Sequence, residues 1–206
     1  MAGLSVSVHS EISEIPCAHW NALLTREDNP FVDWRFLAAL EQSGSASPES
    51  GWMACHLAVR RGTELVAVAP AYIKDGSDGD FSRDWEWAAA AERARIPYYP
   101  KLVVGIPFTP VSGRRILFAS DVSSSEQASI LELIVAAALE LMRRHGLGTV
   151  QVLFPNAQQN AQLVEQGLCA RIDFQYHFVN PGYACTEDFY ARFSSKRRNA
   201  LRREIA

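Results

Sequence analysis

The sequence predicts an α/β protein built on a mixed sheet with helices on both faces. Three observations carry this. Strands and helices alternate along the chain. A hairpin sits early in that order, residues 52–60 and 64–73 split by Arg61-Gly62-Thr63, so the sheet is not all-parallel. The longest helix leaves only a narrow polar face, Ser129, Glu132, Glu140 and Arg143, which predicts burial on most sides, against a sheet.

Residues 4–9 alternate apolar and polar as a strand does, with Leu4, Val6 and Val8 against Ser5, Ser7 and His9. Pro16 suits the first turn of a helix that Trp20, Leu23 and Leu24 give an apolar face. Asp28-Asn29-Pro30 breaks it. A second helix is expected from Asp33 to Gln42, stopped at Gly44, and residues 43–51 form a Ser/Gly/Pro loop. After the hairpin and a polar loop from Asp75 to Asp80, Phe81 to Arg95 predicts a helix. The apolar run Leu102–Ile106 is a strand bounded by prolines, and Arg115–Phe118 is another strand. The long helix starts at Ser123, with Glu126 completing a capping box, and Leu131, Val135, Leu139 and Met142 recur at helical spacing up to Gly146. Thr149–Phe154 reads as a strand, Gln158–Gln166 as a helix and Arg171–Val179 as a last strand.

The chain has 206 residues, of which 48% are hydrophobic and 21% charged, ordinary for a globular protein of one large domain or a domain with an appendage. No apolar run reaches membrane-spanning length and the N-terminus lacks the marks of a signal peptide, which points to the cytoplasm. Cys17, Cys55, Cys169 and Cys185 are scattered and read as reduced, mostly buried thiols, not as a disulfide frame or a zinc site. The five histidines lie far apart with no ligand partner at helical or hairpin spacing, so no metal is expected. There is no Gly-x-Ser-x-Gly elbow. The net charge of −3 hides an asymmetry: residues 194–206 hold Lys196, Arg197, Arg198, Arg202 and Arg203 against Glu204 alone. Such an end suits an anion, or is a solvated helix face.

Arg143-Arg144-His145-Gly146-Leu147-Gly148 fits the short acyl-CoA pyrophosphate pattern. The chemistry needs a helix after the glycines, so that its N-terminus faces the anion. Here the glycines follow a helix, and Gly146 is read instead as its C-cap.

Binding groups are sought in the stiff stretch Tyr98–Val111, where three prolines and three aromatics flank the apolar run. Rigid loops beside strands often carry such groups, while the competing reading is aromatic packing for stability. In Gln175–Asn180, strand alternation places Gln175 and His177 on one face, either towards a polar substrate or along an amphipathic edge.

Several blocks in order carry a resemblance. They are Asn29-Pro30-Phe31 with Phe36–Gly44; Asp84-Trp85-Glu86-Trp87 with Tyr98–Leu102 and Pro107–Val111; Val152–Pro155; and Gln175–Tyr183 running into Phe189, Ser194–Arg198 and Arg202-Arg203-Glu204. Together they resemble the FemAB-like branch of the GNAT superfamily, peptidoglycan biosynthesis/recognition proteins of bacteria. The resemblance implies a GNAT-like α/β (α+β) fold with a mixed, mostly antiparallel sheet flanked by helices on both faces. It also implies a two-domain protein of which this chain is a truncated N-terminal part: a domain over 1–193, and over 194–206 the start of a basic helix leading to a second GNAT-like domain.

The implied function is N-acyl or aminoacyl transfer to an amine acceptor, a cell-wall precursor, with this chain as the acceptor-binding half and inactive alone. The alternative is a non-catalytic module that recognises a cell-wall or nucleotide-sugar ligand. By position in the family, Tyr98, Tyr99, Lys101, Phe108, Thr109, Gln175 and His177 line the acceptor groove, and Lys196, Arg197 and Arg198 meet phosphates of a nucleotide-linked precursor or a tRNA. No cofactor is expected in this part; an acyl-CoA or aminoacyl-tRNA donor belongs to the longer protein. Phe178 stands where the family commonly has Trp after the histidine. Leu201 and Ile205 share a stripe of the basic helix with no obvious surface to cover, so the helix is expected either to fray or to dock on a neighbouring copy and drive self-association.

Overall fold

The computed structural model describes residues 3–205. It divides into two compact units, one ending at Ala170 and the other beginning at Arg171. The boundary expected at 193/194 falls inside the second unit.

The first unit holds two four-stranded sheets. One has the order β1 (Leu4–His9), β3 (His56–Arg61), β4 (Glu64–Ala69), β7 (Leu117–Phe118), all antiparallel. The other has the order β2 (Met53–Ala54), β5 (Ala71–Lys74), β6 (Lys101–Val104), β8 (Thr149–Val152). Only β6 and β8 run parallel. The sheets share two long strands. β2 passes into β3 through Cys55, and β4 into β5 through Pro70. Proline has no N–H to give to a ladder, so the strand bends there, while the Pro70 carbonyl accepts from Gly105 at 3.0 Å. The hairpin turns at Gly62-Thr63, with Arg61 opposite Glu64 and Gly62 at φ 63, a positive angle suited to a two-residue turn.

Helices cover both faces, as the sequence requires. α1 (Cys17–Asn21) and α2 (Trp34–Gln42, capped by Asp33) bury Trp20, Leu37 and Ala38 against Ala58, Val68 and Leu117. The long helix α4 (Ser124–His145) buries Ile130, Leu131, Ile134 and Ala138 against Leu57, Val59, Leu102 and Val104. Alternate residues of β3 therefore enter opposite cores. A third cluster joins Trp52, Tyr72, Val103 and Ala46.

Four expectations change. Helix α4 is not buried on most sides: Leu139 is 43% exposed and Val135 and Met142 are half-buried, because the buried stripe runs through Ile134 and Ala138 instead. Its cap is Ser123, which accepts from the Glu126 N–H, but the Glu126 carboxylate accepts from Arg61. The strand expected over Arg171–Val179 is absent. That stretch is irregular and exposed, since an alternating pattern makes a strand only where a neighbouring edge pairs with it. Among the thiols, Cys55 is buried and its pKa is pushed up by burial to about 12, whereas Cys169 and Cys185 are exposed.

The second unit holds α6 (Thr186–Ala191) and α7 (Ser195–Ile205). Between them and α4 in the chain lies α5 (Ala157–Glu165), which belongs to the first unit. No helix among the described residues is long and apolar enough to cross a membrane.

Candidate functional site

Strands β5 and β6 are antiparallel neighbours whose closing pair is Lys74 opposite Lys101. Neighbours of that kind are usually joined by about 2–5 residues. Here the connection runs from Asp75 to Pro100 and carries its own helix, α3 (Trp85–Arg93). So long an excursion needs an anchor at its base, and Lys101 supplies it.

Lys101 heads an apolar strand and is fully buried, as are Asp80 and Asp84. Its Nζ lies 2.7 Å from a carboxylate oxygen of each aspartate and 2.6 Å from Ser77 Oγ. The Asp84 contact is an aligned hydrogen bond, whereas Asp80 Oδ2 has the charge contact alone. The other Asp80 oxygen accepts from the Ser82 N–H at 2.8 Å. Asp84 Oδ2 also accepts from the Tyr98 hydroxyl at 2.9 Å and from Gln151 Nε2 at 3.2 Å. Tyr99 shares a 2.7 Å hydrogen bond with Ser77 and donates to Asp84 Oδ1 at 3.4 Å. One lysine thus ties the outgoing leg, through Ser77, Asp80 and Asp84, to the returning leg at Tyr98 and Tyr99.

The electrostatics fix the protonation states. Burial alone raises a carboxyl pKa. For Asp84, hydrogen bonds from Lys101, Ser77 and Gln151, with the Lys101 charge, outweigh burial and hold the pKa well below the usual carboxylate range. Burial and the neighbouring Asp84 carboxylate raise the Tyr98 hydroxyl, and burial is also the first cause of the rise at Tyr99. Both phenols stay protonated and Asp84 stays ionised at neutral pH. The cluster holds charge in place; it is not poised to move a proton.

Lys74 completes it. Its ammonium lies 3.7 Å from the centre of the Trp52 ring and donates to the carbonyls of Asp78 and Gly51. Burial lowers its pKa against the pull of Asp80. Trp52 in turn meets Phe108, ring centres 5.5 Å apart. Phe108 is 45% exposed, holds a left-handed backbone at φ 57, and donates its N–H to Gly79. Gly79 holds a left-handed backbone at φ 75, which glycine adopts without strain, and a Cβ there would push against the Phe108 ring from 2.5 Å. Thr109 is buried, its hydroxyl donating to the Pro107 carbonyl at 2.9 Å.

A third buried cation closes the nearby chain. Arg115 donates to the carbonyls of Leu153, Arg114 and Val111, and burial lowers its pKa to about 10. Its backbone N–H donates to Gln159, which also clasps Ile116. These bonds hold the Val111–Ile116 return to β7.

The structure thus brings Tyr98, Tyr99 and Lys101 into one cluster and sets Phe108 and Thr109 on the adjoining loop. Lys101 is wholly enclosed, so it touches no ligand directly. Gln175 and His177 lie exposed in the second unit, where Lys196, Arg197 and Arg198 lie on the first turn of α7. Asp80, Ser77, Ser82 and Gln151 escaped the sequence reading, as did the role of Asp84. The available signal was polar residues, Lys74, Lys101 and Gln151, in strands otherwise apolar. Among the described residues no group of histidines, cysteines and carboxylates is arranged to hold a metal.

The rejected glycine pattern is explained as well. Gly146 is a left-handed C-cap at φ 64 with its N–H on Met142. The space beside Gly148 is filled by the Pro97–Tyr98 backbone, 2.5 Å from where a Cβ would lie. At the other end of α4, the N-terminus carries Asp121 and Glu126, both paired with Arg61.

The family model for FemAB-like proteins, described as peptidoglycan biosynthesis/recognition, matches residues 11–206. Curated proteins offer no match. Among solved structures, a ribosomal-protein-alanine N-acetyltransferase from Brucella melitensis biovar Abortus 2308 is similar at 12% identity, covering 87% of this chain and all of its own, with a TM-score of 0.44.

Proposed function

We propose that this chain, which belongs to the FemAB-like family of peptidoglycan biosynthesis and recognition proteins, binds the amine acceptor for an N-acyl or aminoacyl transfer, the acceptor being a cell-wall precursor. The observation that carries this is the Lys101–Asp80–Asp84 anchor, which fixes Tyr98 and Tyr99 at the foot of a long arm. A transfer of this type is accelerated by holding the amine in line with the acyl carbon. The half-buried tyrosines and the neighbouring Phe108–Thr109 loop suit that positioning role. They do not suit proton transfer, because the phenols and Asp84 are locked in their protonation states.

Donor binding is assigned elsewhere. A donor phosphate is best received by the free N–H groups of a helix N-terminus. At α4 that position faces Asp121 and Glu126, whose charges repel it. The basic first turn of α7, where Lys196 and Arg197 are exposed, would instead meet phosphates of a nucleotide-linked precursor or of a tRNA. Recognition without transfer is the second reading, favoured by the same locked protonation states.

The test is calorimetry with UDP-N-acetylmuramyl pentapeptide. Binding that Tyr99→Phe and Phe108→Ala each weaken severalfold, with the fold intact by circular dichroism, supports the reading; affinity unchanged in both variants overturns it. Incubation with an activated acyl donor then separates transferase from recognition module, by the mass of the acceptor.

A further inference from the structure

Strand β1 ends its sheet, and its alternation puts Ser5, Ser7 and His9 on one face. Just beyond His9 a single helical turn, Ile12–Glu14, brings Glu14 back beside the strand. Three side chains then line up. Ser7 Oγ lies 2.9 Å from His9 Nε2, and His9 Nδ1 lies 3.0 Å from Glu14 Oε2. None of them takes part in the Lys101 cluster, which stands on the other sheet.

The hydrogen bonds give this line a direction. Ser10 donates twice to Glu14 Oε1, from its N–H at 3.0 Å and its hydroxyl at 2.7 Å, which leaves Oε2 to the histidine. The Ser10 hydroxyl foremost, then the His9 ring and the Ser10 N–H, lower the Glu14 pKa against the opposing effect of burial. An ionised carboxylate only accepts hydrogen bonds. Nδ1 of His9 therefore carries the proton, and Nε2 turns its lone pair to Ser7. The Ser7 hydroxyl has another acceptor, the Ala58 carbonyl, but at 3.4 Å that contact is at the limit of a hydrogen bond.

His56 provides the contrast. It also meets a carboxylate, Glu41 at 2.7 Å, but it is wholly buried and its other nitrogen accepts from the Ala71 N–H. Around His9 there is access: its side chain is 15% exposed, that of Glu14 42%, and Ser7 is half-buried. N–H groups of an antiparallel strand point alternately to the partner and to the open side. The open edge of β1 thus presents an N–H donor within one residue of Ser7. A hydroxyl bonded to a base, with the base oriented by a third group, is the arrangement that activates a nucleophile.

We propose that Ser7 is an activated nucleophile that takes the acyl group of small activated esters, with His9 as its base and Glu14 and Ser10 as positioning residues. Ser7 Oγ bonds to the carbonyl carbon while its proton passes to His9 Nε2. The bond from that carbon to the leaving oxygen breaks, and the departing oxygen takes the proton from His9. Water then attacks the Ser7 ester by the same route, releasing the acid and restoring the hydroxyl.

The probes are a fluorophosphonate, with peptide mass mapping, and p-nitrophenyl acetate. The fluorophosphonate should label Ser7 and not Ser5 or Ser10, and should label nothing in urea. His9→Gln should slow labelling roughly 100-fold, the lower end of what a positioned base contributes, and Glu14→Gln should slow it severalfold. The thermal midpoint should not move in either variant, since neither side chain lies in a core. Release of p-nitrophenol should begin with a stoichiometric burst that Ser7→Ala removes. Nitrogen-15 resonances of the neutral His9 ring should place its proton on Nδ1, a preference that Glu14→Gln weakens. Labelling shared evenly among the serines, labelling of Ser7 indifferent to His9→Gln, no labelling at all, or a proton on Nε2 in the wild type each overturns the assignment.

Discussion

Replacing Lys101 by Met should be the most damaging single change to the arm. The substitution keeps most of the side-chain volume but leaves Asp80 and Asp84, both fully buried, without their cation. Removing one partner of a buried ion pair costs about 3–5 kcal/mol, because the remaining charge is stranded in a medium that solvates it poorly. For a domain of this size each kcal/mol moves the melting temperature by about 2–4 °C, so the loss is roughly 6–20 °C at pH 7. The pH dependence gives a sharper check. In the wild type the Asp84 pKa is depressed, so its contribution is present above the ordinary carboxylate pKa and is lost only as pH falls through the lower folded value. In Lys101→Met the cause of the depression is gone, burial dominates, and Asp84 takes up a proton more readily folded than unfolded. The variant's deficit should therefore shrink as pH falls from 7 towards 4. Melts followed by circular dichroism at both pH values test this. Adding Asp80→Asn and Asp84→Asn to Lys101→Met should recover at least half of the loss, since a neutral cluster strands no charge. A single variant that melts within 2 °C of the wild type, or a deficit that grows in acid, would refute the reasoning.

Three further outcomes are expected. Acetyl-CoA should show no calorimetric binding to the chain at submillimolar concentration, because the glycine pattern caps α4 and the other end of that helix is acidic; binding lost on mutating Gly146 and Gly148 would show the loop to be a phosphate site. Replacing Lys196, Arg197 and Arg198 together by Gln should weaken binding of a tRNA and reduce the salt dependence by about 2 in log–log slope, three contacts at ~0.7 each for single-stranded phosphate; an unchanged slope would leave the turn a solvated face. Light scattering should show a concentration-dependent mass that disappears on deleting residues 194–206, Ile205 being exposed on that helix; identical masses throughout would discard self-association.

Local signals in the sequence were reliable where one residue decides the outcome. Asp33 and Ser123 cap their helices, Gly146 ends one in a left-handed turn, and Gly62 turns the hairpin. What stayed hidden depends on register. Lys101 looked like a loop residue facing a ligand, and nothing near it in the chain reveals that Gln151 and Asp84 converge on it, since those contacts follow from how β6 pairs with β8 and how the arm folds back. The stripe of α4 was misplaced because several apolar positions compete on that helix, and the sheet selects Ile134 and Ala138. The alternation in Arg171–Val179 is real, but a strand also requires a pairing edge, which periodicity does not specify. Trp85 and Trp87 fall in the stretch expected to be helical, as they are, but the exposure of their large apolar rings is invisible to composition.

The bend at Pro70 bears on how this chain tolerates changes in length. Because β4 and β5 are one strand divided between two sheets, one residue inserted or deleted between Glu64 and Lys74 would slip register against β3 and β7 on one side of the bend, or against β2 and β6 on the other. A slip of one turns every side chain to the opposite face, and here both faces are core. The paired strand segments must therefore keep their lengths across divergent sequences. Insertions have room mainly in the Ser43–Gly51 loop and in the Asp75–Pro100 connection, whose ends are pinned by Lys101 but whose helix touches no core. Homologues should differ in length chiefly there, which would let the arm diversify its ligand while the sheets beneath it remain the same.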